Sequence, residues 1–133
     1  MDEEVVEFSV AHNRKYSRDH LWYQEKAARL MIGVSEYLAV EIGEVLRVIL
    51  PQAENEIDEG RDMFSIWTAD EKVAFPSMYS GIIAEVNGEV EINPDLVNDS
   101  AYDHGWIIII EPHELDLENL LEPDEYVEFL AEL

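Results

Sequence analysis

The sequence predicts a mainly β fold with short helices, a sandwich or a barrel, and three observations carry that prediction. Strand-like runs are short and rich in β-branched and aromatic residues, Gly and Pro punctuate them, and the helical signals are brief. The 133 residues fit one domain over 1–133, and an apolar fraction of 47% is enough for a core. Six Tyr, four Phe and three Trp argue against disorder despite a net charge of −23.

The opening "VVEFSV" alternates as an edge strand does. Five of the eight Lys and Arg residues follow in a short stretch: Arg14, Lys15, Arg18, Lys26 and Arg29. "HLWYQ", a turn near Glu25–Ala27 and "ARLMIGV" read as a β-hairpin, with the helix propensity of "EKAARLM" competing. Ser35 is an N-cap for "EYLAVEI", and Gly43 sits where a left-handed C-terminal residue belongs. "EVLRVIL" is a strand stopped by Pro51, and "PQAENEIDEG" is a polar connection. "DMFSIWT", a turn "ADE" and "KVAFPSMY" form a second hairpin, and the aromatic pair Phe64 and Trp67, expected to be exposed near its tip, either packs on the sheet or anchors a partner. "SGIIAEVN" is a further strand, "GEVEINPDLVNDSAYDHG" is loop-rich with one helical turn at "PDLVN", and "WIIII" is a buried strand. The segment "EPHELDLENLLEPDEYVEFLAEL" reads as two short amphipathic helices, the second starting at Pro123. "EVLRVILPQAENEIDEG" and "IIAEVNGEVEINPDLVN" suggest a weak internal repeat of strand, acidic turn, strand. The expected core is Ile32, Val34, Val45, Val48, Leu50, Ile83, Val86, Trp106, Ile108 and Ile110.

The charge argues against nucleic acid and anionic membranes, because phosphate contacts need clustered cations. It suits a basic partner, or simply solubility or a salty habitat. Without Cys there is no disulfide framework, thiol chemistry or thiolate metal site. "MDEEVVEFSV" is neither a secretory signal nor a transit peptide, and "WIIII" is too short to span a bilayer, so the expected location is cytoplasmic. No P-loop, GxGxxG, HExxH or Ser-His-Asp elbow is present, and "ENEIDEGRD" lacks EF-hand spacing. His104 with Asp103 is too small a set for a metal, His113 and Glu114 read as surface, and His20 and Trp22 read as packing residues. No catalytic residue and no metal site is expected.

Four blocks resemble one family, the glycine cleavage system H protein. "YSRDHLW" resembles its Tyr-Thr-x-x-His-x-Trp motif, and "IGVSEYLAVEIGEVLRVILP" its following block, Val-Gly-Ile-Thr-Asp-Tyr-Ala-x-x-x-Leu-Gly-Asp-Ile-x-x-Val-x-Leu-Pro. "YSGIIAEVN" is similar to Val-Ser-Gly-x-Val-x-Glu-Val-Asn, and "PDLVNDSAYDHGWIIIIEP" to Pro-x-Leu-Val-Asn-x-x-Pro-Tyr-x-x-Gly-Trp-x-x-x-Ile-x-Pro. The match runs without a gap from Ile32 to Pro112. It implies a lipoyl-domain-like hybrid of two antiparallel sheets with flanking and C-terminal helices. It also implies a non-catalytic carrier that presents a lipoyl arm, attached to one hairpin lysine, to successive enzymes of glycine catabolism at high effective concentration.

The family's lysine lies in a Glu-Ser-Val-Lys-Ala box, which falls here on Trp67-Thr68-Ala69-Asp70-Glu71. Asp70 therefore stands at the lysine position, and a carboxylate cannot form the lipoyl amide. "SMYSG" keeps only part of the family's Ser-Pro-Val-Ser-Gly. Lys72 lies two residues further on. A two-residue register slip would bring it to the tip with the faces kept, but it would leave arms of twelve steps from Gly60 and nine to Gly81. Lys15 and Lys26 lie elsewhere. Two readings stay open: a scaffold or regulatory paralogue that docks to lipoate-dependent enzymes without carrying lipoate, or a lipoyl carrier modified on Lys72. A third is a substrate or decoy of lipoate ligase. The bland role of Lys72 is a solvated cation paired with Asp70 or Glu71.

Overall fold

The computed structural model describes residues 8–133. Among these described residues nine strands run β1 (Lys15–Tyr16), β2 (Leu21–Lys26), β3 (Arg29–Val34), β4 (Arg47–Ile49), β5 (Glu56–Ile57), β6 (Asp62–Trp67), β7 (Lys72–Pro76), β8 (Gly81–Val86) and β9 (Ile108–Pro112). Four helices are interspersed: α1 (Glu36–Ile42), α2 (Gly88–Ile92), α3 (Asp95–Asp99) and α4 (Pro123–Ala131). The strands form a six-stranded sheet, β1-β2-β3-β9-β8-β5, and a three-stranded sheet, β4-β6-β7. All pairings are antiparallel. The mainly β architecture with short helices is the one the sequence predicts.

The β2–β3 hairpin closes through Ala27 and Ala28, between the paired Lys26 and Arg29. Both alanines have positive φ, 52° and 65°. Such a turn matches the twist of the strands but suits Asn-Gly, not Ala-Ala, because a Cβ is crowded in the left-handed region. The double substitution Ala27→Asn/Ala28→Gly is expected to raise stability by about 1 kcal/mol. Its urea midpoint should rise at unchanged slope; a fall would show that the alanines are not strained.

The main core joins both sheets. Ile32, Val34, Val45, Val48, Ile83, Ile108 and Ile110 are buried as expected, whereas Leu50, Val86 and Trp106 are half-buried and pack at the edges of the two clusters. A second cluster, Tyr16, Trp22, Leu121 and Tyr126, fastens α4 to the six-stranded sheet. Tyr16 stacks on Tyr126 with ring centroids 4.3 Å apart. Ser35 caps α1 by accepting the Leu38 N–H at 3.1 Å, as its position predicts.

Several expectations are corrected. Part of the proposed first strand, residues 5–7, lies outside the described residues, and Phe8–Val10 is not a strand. The polar connection contributes β5, because Glu56 and Ile57 pair with Ile82 and Gly81. "GEVEI" forms α2, capped by the Asn87 side chain, so the suggested repeat fails. The buried strand begins at Ile108 and runs to Pro112, although Ile107 before it is buried too. The first of the two C-terminal helices does not form. Leu121 exchanges backbone hydrogen bonds with Tyr16 at 2.8 and 2.7 Å, and the Asp116 carboxylate accepts the Glu118 N–H in a competing local turn. Glu114 and Glu118, four apart, would also repel on a helix. Among the described residues no helix is long and apolar enough to cross a membrane.

Candidate functional site: the β6–β7 hairpin

The smaller sheet projects one hairpin. Its register pairs Trp67 with Lys72, Ile66 with Val73, Ser65 with Ala74 and Phe64 with Phe75. Phe64, Ile66 and Phe75 turn into the core, with the two Phe rings 5.2 Å apart. Phe64 is therefore not an exposed anchor but packs on the sheet: it lies three residues from Trp67 on the regular ladder and so faces the opposite side, while the irregularity between Asp62 and Phe64 adds Met63 to the buried side chains. Trp67 stays 37% exposed.

The tip is Thr68–Glu71, and Thr68 fixes its shape. Its N–H donates to the Glu71 carbonyl at 2.9 Å. Its hydroxyl oxygen accepts the N–H groups of Asp70 and Glu71, each at 3.3 Å. This is the local hydroxyl-to-backbone closure that Ser and Thr favour. Ala69, Asp70 and Glu71 are exposed, with Asp70 at the turn and Lys72 opening the return strand.

Lys72 does not pair with Asp70 or Glu71; among the described residues it has no ion pair within 4.0 Å. Its Nζ lies 5.3 Å from the Trp67 ring centroid instead. The Arg47 guanidinium lies 5.5 Å from the same ring. Arg47 pairs with Trp67 across β4 and β6, and Trp67 with Lys72 across β6 and β7, so one row of the sheet reads cation, indole, cation. At such an exposed site each contact contributes about 0.5–1 kcal/mol. Sequence reasoning found Trp67 and Lys72 but missed Thr68 and Arg47. The Thr68-to-acid spacing was a usable turn signal; Arg47 depends on a long-range strand register.

The other lysines sit elsewhere: Lys15 on β1, bound to Glu122, and Lys26 at the end of β2. His20 is half-buried, with Nδ1 2.9 Å from the Tyr126 hydroxyl, which also lies 2.8 Å from the Ser35 hydroxyl. Burial lowers the His20 pKa, and Asp19 and Glu41 oppose that shift. Trp22 is fully buried and donates its indole N–H to the Ala101 carbonyl at 2.9 Å. His104 lies 3.7 Å from Asp103 at the surface, and among the described residues no group of three or more His, Asp or Glu could hold a metal.

Two antiparallel sheets with short helices around them, the smaller sheet ending in a tightly closed hairpin, make the two-sheet hybrid architecture that the sequence resemblance implies. The chain belongs to the glycine cleavage H-protein family. The family model for "Glycine cleavage H-protein" matches residues 14–133. The chain is 31% identical over 125 residues to the glycine cleavage system H protein of Staphylococcus carnosus, covering 93% of this chain and 99% of that protein. It is 35% identical over 125 residues to that of Staphylococcus epidermidis, with the same 93% and 99% coverage. The H protein of Halalkalibacterium halodurans is 31% identical over 125 residues, 93% of this chain and 98% of that one. A crystal structure of a glycine cleavage system H protein from Mycobacterium marinum superposes with a TM-score of 0.84 over 92% of this chain and 99% of that one, at 21% identity, which supports the fold. Proteins of this family are carriers, not catalysts, and hold lipoate on a lysine.

Proposed function

We propose that this chain is an H protein without a standard lipoyl arm. As one domain over 1–133, in the cytoplasm, it docks to glycine-cleavage-type or other lipoate-dependent enzymes as a scaffold or regulator. One observation carries the reading: Asp70 occupies the hairpin turn, while Lys72 opens the return strand against the Trp67 ring. The lipoyl group does not fit the turn position, because its attachment needs an amine and Asp70 offers a carboxylate. Glu71 adds a second acid beside it, and Trp67 stands where the family box has its Glu.

Lys72 is chemically competent for the amide and exposed, which favours a second reading as a carrier modified there. Against it, Lys72 is displaced from the turn position by two residues, roughly 6–7 Å along a strand. That exceeds the ~1 Å over which positioning already matters strongly. Intact mass after co-expression with a lipoate ligase and lipoate decides between the two. The expected mass is that of the unmodified chain. Gain of one lipoyl group, abolished in Lys72→Ala, would overturn the scaffold reading and make the chain a carrier with an unusual hairpin.

A further inference from the structure

A polar cavity of about 370 Å³ lies well apart in sequence from the hairpin, between the segment leading into β1, the end of β2 and the loop before β9. Arg14, Gln24, Lys26, Met31 and Trp106 are among its walls. The Arg14 guanidinium lies 4.5 Å from the Trp22 ring centroid and 5.1 Å from that of Tyr102, within cation–π reach of both. Its Nη1 donates to the Tyr102 carbonyl at 2.9 Å and its Nε to Asn13 Oδ1 at 3.0 Å. These bonds use two of the five guanidinium N–H donors. Among the described residues no carboxylate oxygen comes within 4.0 Å of Arg14, in a chain with 31 Asp and Glu. Partial burial also lowers the Arg14 pKa, the mark of a cation that has lost water without gaining a full partner.

We propose that this cavity binds a small monocarboxylate with an apolar body, its carboxylate on Arg14. A planar guanidinium held by two hydrogen bonds and two nearby rings keeps further N–H donors for a carboxylate, which accepts the fork in two parallel N–H···O bonds. Lys26, which has no ion pair within 4.0 Å among the described residues, adds a second positive charge. The half-buried Met31 and Trp106 offer apolar surface for the rest of the ligand. Glu89 and Asp103 also line the cavity, and Asp103 lies 3.7 Å from His104. These acids repel a second negative charge, so a phosphate dianion is the poorer fit. The proposal is independent of what the hairpin carries.

The test titrates the full chain with benzoate, and separately with inorganic phosphate, at constant ionic strength. It follows heat and the three indole N–H signals by NMR. Benzoate is expected to saturate, moving the Trp22 and Trp106 signals and leaving Trp67 still. Arg14→Lys keeps the charge but loses the planar fork and should weaken binding by about tenfold or more. The exposed Lys26→Gln, which leaves the packing around Arg14 intact, should weaken it by about threefold. Phosphate should bind about tenfold more weakly than benzoate. The site is refuted if benzoate gives no saturable shift or if Arg14→Lys binds it as well as the wild type. Phosphate binding as tightly as benzoate would overturn the monocarboxylate assignment.

Discussion

Asp70→Lys is expected to turn the chain from a protein that a lipoate ligase leaves alone into one that gains the mass of one lipoyl group. The substitution puts an ammonium at the turn position without touching the strands. Thr68 still closes the tip through backbone groups of residues 70 and 71, so the turn keeps its shape whatever the side chain at 70. The rate of modification should rise on the order of 10²-fold or more, the scale on which correct positioning of a reacting group acts. Adding Trp67→Glu should raise it further. It restores the carboxylate of the family box and removes the indole that faces Lys72. Adding Lys72→Ala should leave the gain intact, which separates the new site from the resident lysine. If Asp70→Lys stays unmodified in both backgrounds, the hairpin differs from a ligase substrate in shape as well as chemistry. The idea that one position accounts for the loss would then fail.

The hairpin was legible in the sequence because its cues are local: two apolar runs, the acidic turn "ADE" between them, and a lysine just after it. The register Trp67↔Lys72 places Lys72 outside the turn, as those cues predict. What the sequence hid came from contacts between distant segments. Arg47 joins the site only because β4 pairs with β6. Phe64, by contrast, lay within reach of local reasoning: it stands three residues from Trp67 on a regular stretch of ladder, so an outward Trp67 puts Phe64 on the opposite, inward face. At the C-terminal end, helical spacing at "HELDLENLL" lost to the bridge between Leu121 and Tyr16, 105 positions away. The Arg14 cavity was invisible for the same reason, since the carbonyl that Arg14 holds belongs to Tyr102, 88 residues on. Local propensity placed the elements; long-range pairing decided which faces they show.

Gly81→Ala is expected to be the most damaging single methyl addition in the chain, and the reason is space, not backbone conformation. Gly81 begins β8, pairing with Ile57 on one side and Pro112 on the other. A Cβ there would lie 2.2 Å from the Glu111 carbonyl oxygen and 2.8 Å from the Pro112 Cα. Both obstacles are backbone, so no rotamer change can relieve them. β9 would have to move away from β8. Yet β9 lies between β3 and β8 and carries the fully buried Ile108 and Ile110. The neighbouring Ser80 is a junction too: its carbonyl accepts the His113 N–H at 2.9 Å, and its hydroxyl accepts the Glu59 N–H at 2.9 Å beside the base of the hairpin. Overpacking of this kind costs about 3 kcal/mol or somewhat more. In a chain of this length that lowers Tm by roughly 10 °C or more. Gly88→Ala is the control: nothing lies within 4 Å of its added Cβ, and it opens α2, so its stability should stay within about 0.5 kcal/mol of wild type. Paired thermal and urea melts of the two variants read the difference directly. If Gly81→Ala melts with Gly88→Ala, the tight approach of β8 to β9 is wrong, and with it the rigid base from which the hairpin is presented.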